Sequence, residues 1–139
     1  MSFKKQNNSF SVSVILLIFL ILANFLMMAG LSVAKYHGYN LVSFDLGNMS
    51  QAIWSATQGK PLIFTTDGIE WSRLSLHVEL FYFLLTPFYA LRPAPDTLLY
   101  IQAALYAIGA WPLYHFAYRR LANKWAALGL AAVYLLYPV

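Results

Sequence analysis

Val12 to Val33 is an unbroken apolar run of about 22 residues in which Asn24 is the one strongly polar side chain. As a helix it measures about 33 Å, enough for a hydrocarbon core of about 30 Å. A chain carrying such a segment must place it in lipid or bury it on all sides, and the composition leaves little material for burial. Only 10% of the 139 residues are charged, against 60% hydrophobic. Soluble domains carry about a quarter charged residues. The expected class is therefore an all-α integral membrane protein in a lipid bilayer, multi-pass, in the cell (plasma) membrane. There is no Cys, which excludes disulfides and thiolate chemistry. The net charge of +4 comes from basic residues that are scattered or flank apolar runs, so nucleic acid is not an expected partner.

Lys4 and Lys5 precede the first run and predict a cytoplasmic N-terminal tail, residues 1–11. The first crossing is expected over 12–34. A cleaved signal peptide is the rival reading, since Ser32-Val33-Ala34 has the small-x-small form of a cleavage site, but the apolar run exceeds the about 7–15 residues of a signal core. A second full run, 97–118, can be capped by Asp96 or Thr97 and should kink at Pro112. Arg119, Arg120 and Lys124 follow it, which predicts a cytoplasmic turn at 119–124 and an outside-to-inside direction. The run 125–139 stops while still apolar, so the chain reads as the N-terminal part of a larger protein, joined by the remaining helices of the parent and inactive alone.

Residues 35–96 then form an extracytoplasmic loop, which holds all five acids: Asp45, Asp67, Glu70, Glu79 and Asp96. Two interfacial helices are expected in it. In 46–58, Leu46, Met49, Ile53 and Trp54 make an apolar stripe at helical spacing, with Asn48, Gln51, Ser55 and Gln58 opposite. Asp45 occupies the N-cap place and Gly59 the residue after the C-cap. An uncharged polar stripe beside a Trp suits a helix lying flat on a membrane. The second, 76–91, is at about 16 residues just below the usual spanning length and is interrupted by Pro87, so it reads as interfacial or re-entrant. Between them, Pro61 and Asp67-Gly68 carry turn chemistry and predict irregular chain with at most a short hairpin.

Phe44-Asp45-Leu46-Gly47 followed by Gln51-Ala52-Ile53-Trp54 resembles the opening motif of a family of polytopic membrane proteins, domain of unknown function 2079. His77-Val78-Glu79-Leu80, Pro87-Phe88-Tyr89-Ala90-Leu91, Tyr114 to Arg120 and Tyr134 to Pro138 continue the resemblance in order, with Leu80 where the family usually has Pro. That family is similar to the GT-C glycosyltransferases. The resemblance implies the N-terminal part of a GT-C-like polytopic helix bundle that takes sugars from a polyprenyl-phosphate-linked sugar, with an essential Asp in the first outer loop.

Asp45 is accordingly the leading catalytic candidate, as a general base on an acceptor hydroxyl or as ligand to a divalent metal ion beside a phosphate. Helix capping alone would also explain it. His77 could bind phosphate or orient an acid, and Glu79 lies two residues on; a helix start with an acid at its dipole is the plain alternative. Arg73 could pair with a lipid phosphate. Asp67 and Glu70 could join a metal site but read more simply as a solvated turn. His37 and His115 fit interfacial aromatic settings. The alternative function is a non-enzymatic integral membrane protein, a transporter component or small assembly subunit. Transporters tend to put ionisable groups at mid-membrane, whereas here the acids lie in the loop.

Overall fold

A computed structural model describes residues 12–40 and 44–137. The elements in order are α1 (Val12–His37), α2 (Phe44–Thr57), β1 (Ile63–Thr66), β2 (Ile69–Ser72), α3 (Arg73–Leu76), α4 (Phe81–Leu91), α5 (Pro95–Ile108), α6 (Ala110–Leu121) and α7 (Lys124–Leu136). The N-terminal tail with Lys4 and Lys5, and the last two residues of the third apolar run, lie outside the described residues. The protein is mostly helical, but the β1–β2 hairpin departs from the all-α expectation.

α1 has 26 residues and continues past the expected 34 to His37. Among the described residues it is the helix long and apolar enough to cross a bilayer. Val12, Phe19, Leu22, Leu26 and Leu31 are exposed along it, a surface that water would penalise and lipid would cover.

The chain divides into two compact units. One comprises residues 1–28 and 103–139, the other 29–102. The core of the first is built on Leu17, Ala110, Tyr114, Ala117, Ala127, Ala131 and Leu135. Four of these seven are Ala, and Ala127 and Ala131 lie one helical turn apart. Small residues let helices approach closely, which replaces the hydrophobic driving force that lipid does not supply. α6 and α7 form a tight helical hairpin. Ala122 turns the chain at φ 51°, and the Asn123 side chain caps α7 by accepting from the N–H groups of Trp125 (2.9 Å) and Ala126 (3.2 Å). Arg119 and Arg120 sit in the last turn of α6, where the helix dipole favours cations.

Polar groups in this unit are spent on one another. Ser13 and Tyr114 share a buried hydrogen bond of 2.8 Å. Asn24 Nδ2 donates to the Leu135 carbonyl (2.9 Å), and the Tyr106 hydroxyl donates to the carbonyls of Tyr134 (2.7 Å) and Tyr137 (3.0 Å). Side chains from other helices thus receive the end of α7, whose last carbonyls have no partner within the helix.

The expected single helix 97–118 is interrupted. α5 and α6 meet at Gly109, three residues before Pro112. Pro has no N–H to offer the Ile108 carbonyl, so the ladder fails one turn earlier. Gly109 keeps helical angles (φ −55°, ψ −25°), and its N–H is shared between the carbonyls of Leu105 (3.2 Å) and Tyr106 (3.1 Å). The start also differs from expectation. Pro95 leads α5, which suits the first helical position. Asp96 accepts from Arg92 at 2.7 Å instead of capping, and the Thr97 hydroxyl donates to the Arg92 carbonyl at 2.7 Å.

The second unit contains α2, the hairpin, α3 and α4. β1 and β2 pair antiparallel, Phe64 opposite Trp71 and Thr66 opposite Ile69. Asp67 and Gly68 both have positive φ (51° and 76°), the two-residue turn that Asp-Gly favours. α2 runs from Phe44 to Thr57, so Asp45 lies within its first turn and not at the N-cap. Gly59 has φ 77°, as expected of a residue ending a helix. The expected helix 76–91 starts late, at Phe81. Arg73–Leu76 forms one turn, His77 is extended (φ −140°, ψ 127°), and α4 begins only at Phe81. At 11 residues, about 17 Å, α4 is too short to cross a bilayer.

A Cβ on Gly109 would collide with the Tyr134 hydroxyl and press the Tyr106 carbonyl at 3.1 Å. Gly109→Ala is expected to destabilise the protein by about 1–3 kcal/mol, the usual cost of overpacking. Thermal unfolding in lipid discs should show it, with partial recovery in Gly109→Ala/Tyr134→Phe; an unchanged midpoint for Gly109→Ala would refute the close approach.

Candidate functional site

The site begins with a match of two spacings. Gln51 and Ser55 stand four residues apart on α2, about 6 Å along the helix; Ile63 and Thr65 stand two apart on β1, about 6.8 Å along the strand. The N–H groups of Ile63 and Thr65 are therefore in reach of those two side chains. Ile63 N–H donates to Ser55 Oγ (2.6 Å), Thr65 N–H donates to Gln51 Oε1 (3.0 Å), and Gln51 Nε2 donates to Thr65 Oγ1 (3.1 Å). The Ser55 hydroxyl in turn donates to the Ala52 carbonyl at 2.8 Å. Gln51 and Ser55, two members of the polar stripe of α2, thus face the hairpin. The buried side chains of α2 include Ser50, Ser55, Ala52 and Ile53, while Trp54 is half exposed.

Four further contacts complete the frame. Ala52, Leu62 and Phe64 form a small apolar core. Ser50 and the buried Tyr89 share a 2.6 Å hydrogen bond that ties α2 to α4. Leu62, fully buried at φ 55°, is held in a conformation disfavoured for a non-glycine residue. Its carbonyl accepts from Arg73 N–H (3.0 Å), and the Ser72 hydroxyl fastens the neighbouring Pro61 carbonyl (2.7 Å).

An open cleft of about 330 Å³ lies between the N-terminal half of α2, the hairpin and α3. Asp45 and Asn48 reach it from α2, Thr66, Asp67 and Trp71 from the hairpin, and Arg73 from α3. Of the residues singled out in the sequence, Asp45, Asp67 and Arg73 come together here. His77 and Glu70 do not line the cleft: His77 is exposed at the end of α3. Among the described residues no group of three or more His, Asp or Glu is placed to hold a metal ion.

Glu79 reaches the site through Arg73. Its Oε2 accepts from Arg73 Nε (2.8 Å) and lies 2.6 Å from Nη2. The guanidinium also lies 5.8 Å from the Phe64 ring and 5.7 Å from the Tyr82 ring. Each such cation–π contact contributes about 0.5–2 kcal/mol, more where water is excluded, and the Arg73 side chain is only 12% exposed. Tyr82 has its hydroxyl pushed above the usual tyrosine range, first by burial and then by the Glu79 charge, with Arg73 opposing.

The motif Phe44-Asp45-Leu46-Gly47 thus forms the first turn of a helix that walls a cleft, and a family pattern described as a predicted membrane protein, DUF2079, matches residues 36–139. The chain belongs to this family. No curated protein and no solved structure matches it. The DUF2079 match takes in the whole of the cleft and its supports, from α2 to α4. Membership places the chain in a bilayer environment and says nothing of chemistry. The roles of Gln51, Ser55, Asn48 and Trp71 could not be assigned from sequence spacing; the one available signal was the resemblance motif itself, which contains Gln51 but not Ser55.

Ser55→Ala would leave the Ile63 N–H without its acceptor. A buried donor left unpaired costs about 1–3 kcal/mol. The variant should unfold at lower temperature and show faster amide exchange at Ile63 and Thr65, with α6 and α7 unaffected. A raised Tyr82 pKa means the folded protein holds that proton where the unfolded chain has lost it, so stability present below pH about 10 falls as pH rises above it. Tyr82→Phe should remove part of that alkaline fall in a pH series of unfolding midpoints; an identical slope would contradict the assignment.

Proposed function

We propose that the chain carries the outer catalytic loop of a membrane-bound glycosyltransferase resembling the GT-C class, which draws on a polyprenyl-phosphate-linked sugar. In this reading the protein is multi-pass with a cytoplasmic N-terminus, α1 leads outward, 35–96 lies on the extracytoplasmic side, and α5–α6 return inward. α4 lies at the interface, where its exposed Phe81, Leu84 and Phe88 meet lipid.

The observation that carries the reading is the placement of Asp45. An exposed carboxylate in the first turn of α2 faces a cleft with Asn48, Asp67 and Trp71. It can accept the proton of an acceptor hydroxyl while that oxygen bonds to the anomeric carbon of the donor. The bond from that carbon to the carrier phosphate breaks, and the phosphate leaves with the electron pair. Glu79 contributes by holding Arg73, and His77, exposed beside the hairpin unit, is the next candidate to meet a substrate at the membrane surface.

A transporter component is the second reading. Asn24 supports it: its Oδ1 is buried with no hydrogen-bond partner among the described residues, in a helix apolar enough to cross a bilayer.

Asp45→Asn tests the two. It should abolish transfer of labelled sugar from polyprenyl-phosphate donors in membranes from cells expressing the protein, a loss of about 10²–10⁴-fold for a removed general base, with unchanged membrane level. Full transfer by the variant would end the catalytic role of Asp45. Substrate accumulation in sealed vesicles that is insensitive to Asp45→Asn but lost in Asn24→Leu would favour transport.

A further inference from the structure

We propose that the cleft receives an uncharged, hydroxyl-rich sugar unit and excludes phosphate, so that it seats the acceptor and not the phosphate end of the donor. This rests on the glycosyl-transfer reading and adds which substrate occupies the cleft.

Charge decides between the two. Three ionisable side chains line the walls: Asp45, Asp67 and Arg73. The one positive charge is matched inside the protein, because Glu79 Oε2 lies 2.6 Å from Arg73 Nη2 and accepts from Nε. The Phe64 and Tyr82 rings flank the same guanidinium. Asp45 and Asp67 have no ion-pair partner among the described residues, and both are exposed. An entering ligand therefore meets two unmatched carboxylates. A phosphate would be repelled by both and would find the Arg73 charge already paired with Glu79.

A sugar meets none of these objections. Its hydroxyls donate to Asp45 and Asp67, and Asn48 and Thr66 both donate and accept. Trp71 is 40% exposed, and its indole offers an apolar face to the C–H side of a sugar ring. The volume of about 330 Å³ is at the small end of ligand sites, which run from about 300 to 1,000 Å³, and suits a single unit. A solvated crevice beside a hairpin would need neither the half-exposed Trp71 nor the internal neutralisation of Arg73.

The test uses the protein in phosphatidylcholine discs, free of glycoside detergent, and follows tryptophan emission. Methyl glucoside, mannoside and galactoside are titrated beside inorganic phosphate and pyrophosphate. At least one hexoside should give a saturable change near about 1 mM, the affinity of about −4 kcal/mol that a few exposed hydrogen bonds support. The response should vanish in Trp71→Phe and weaken about tenfold in Asp67→Asn, whose Asn-Gly keeps the turn. Phosphate and pyrophosphate should leave the emission flat. Saturation by phosphate more tightly than by every hexoside overturns the proposal, as does the absence of any hexoside response in protein with wild-type unfolding behaviour. Transfer lost in Asp45→Asn without hexoside binding defeats this proposal alone; hexoside binding with full transfer by Asp45→Asn defeats only the catalytic reading.

Discussion

The clasp between α2 and β1 is the interaction on which the site depends. A two-stranded hairpin is marginal by itself in water, and the outer edge of β1 presents unpaired N–H groups. Gln51 and Ser55 accept from two of them, at 3.0 and 2.6 Å. The helix thereby acts as the neighbouring strand that the sheet lacks, and it blunts an edge that would otherwise invite foreign pairing. With the hairpin so fastened, Asp67 and Trp71 are brought opposite Asp45 and Asn48, and the cleft exists. Leu62 carries the strain of this arrangement, turning the chain at φ 55° so that β1 begins alongside α2.

Arg73 is the second organising residue. It heads α3, its N–H pairs with the Leu62 carbonyl, and its guanidinium is gathered by Glu79, Phe64 and Tyr82. One residue thus joins the hairpin to the extended segment before α4, where Glu79 neutralises its charge. The breaks around His77 and Glu79 follow from this. Glu79 must leave the helical path to reach back to Arg73, which ends α3 after one turn and delays α4 to Phe81.

The helical unit follows a different economy. Ala110, Ala117, Ala127 and Ala131 are buried, so backbone approach replaces interlocking of large side chains. Polar side chains are assigned to helix ends: Asn24 and Tyr106 receive the carbonyls that close α7, and Asn123 receives the N–H groups that open it. Lipid offers no substitute partner for such groups.

Much of this was legible in the chain. The apolar run of α1, the α6–α7 turn before Trp125, the Asp-Gly hairpin turn and the Gly59 helix end each rest on local chemistry, which acts within a few residues whatever the surroundings. The first turn of α2, with Asp45, was marked by the family motif but placed one step wrong as a cap. What the periodicity of 46–58 and 76–91 did not disclose is the partner. The polar stripe of α2 reads equally well as facing water, headgroups or a strand edge, and only packing selects the strand for Gln51 and Ser55.

By itself, then, the amino-acid sequence determined that this protein meets lipid and that its acids gather between apolar segments, because hydropathy and charge are summed over residues regardless of fold. The tertiary structure decided that Asp45, Asp67 and Trp71 share one cleft and that Arg73 arrives there already neutralised by Glu79. Those facts depend on distances between residues 22 to 28 positions apart or on a broken helix, and no local pattern encodes either.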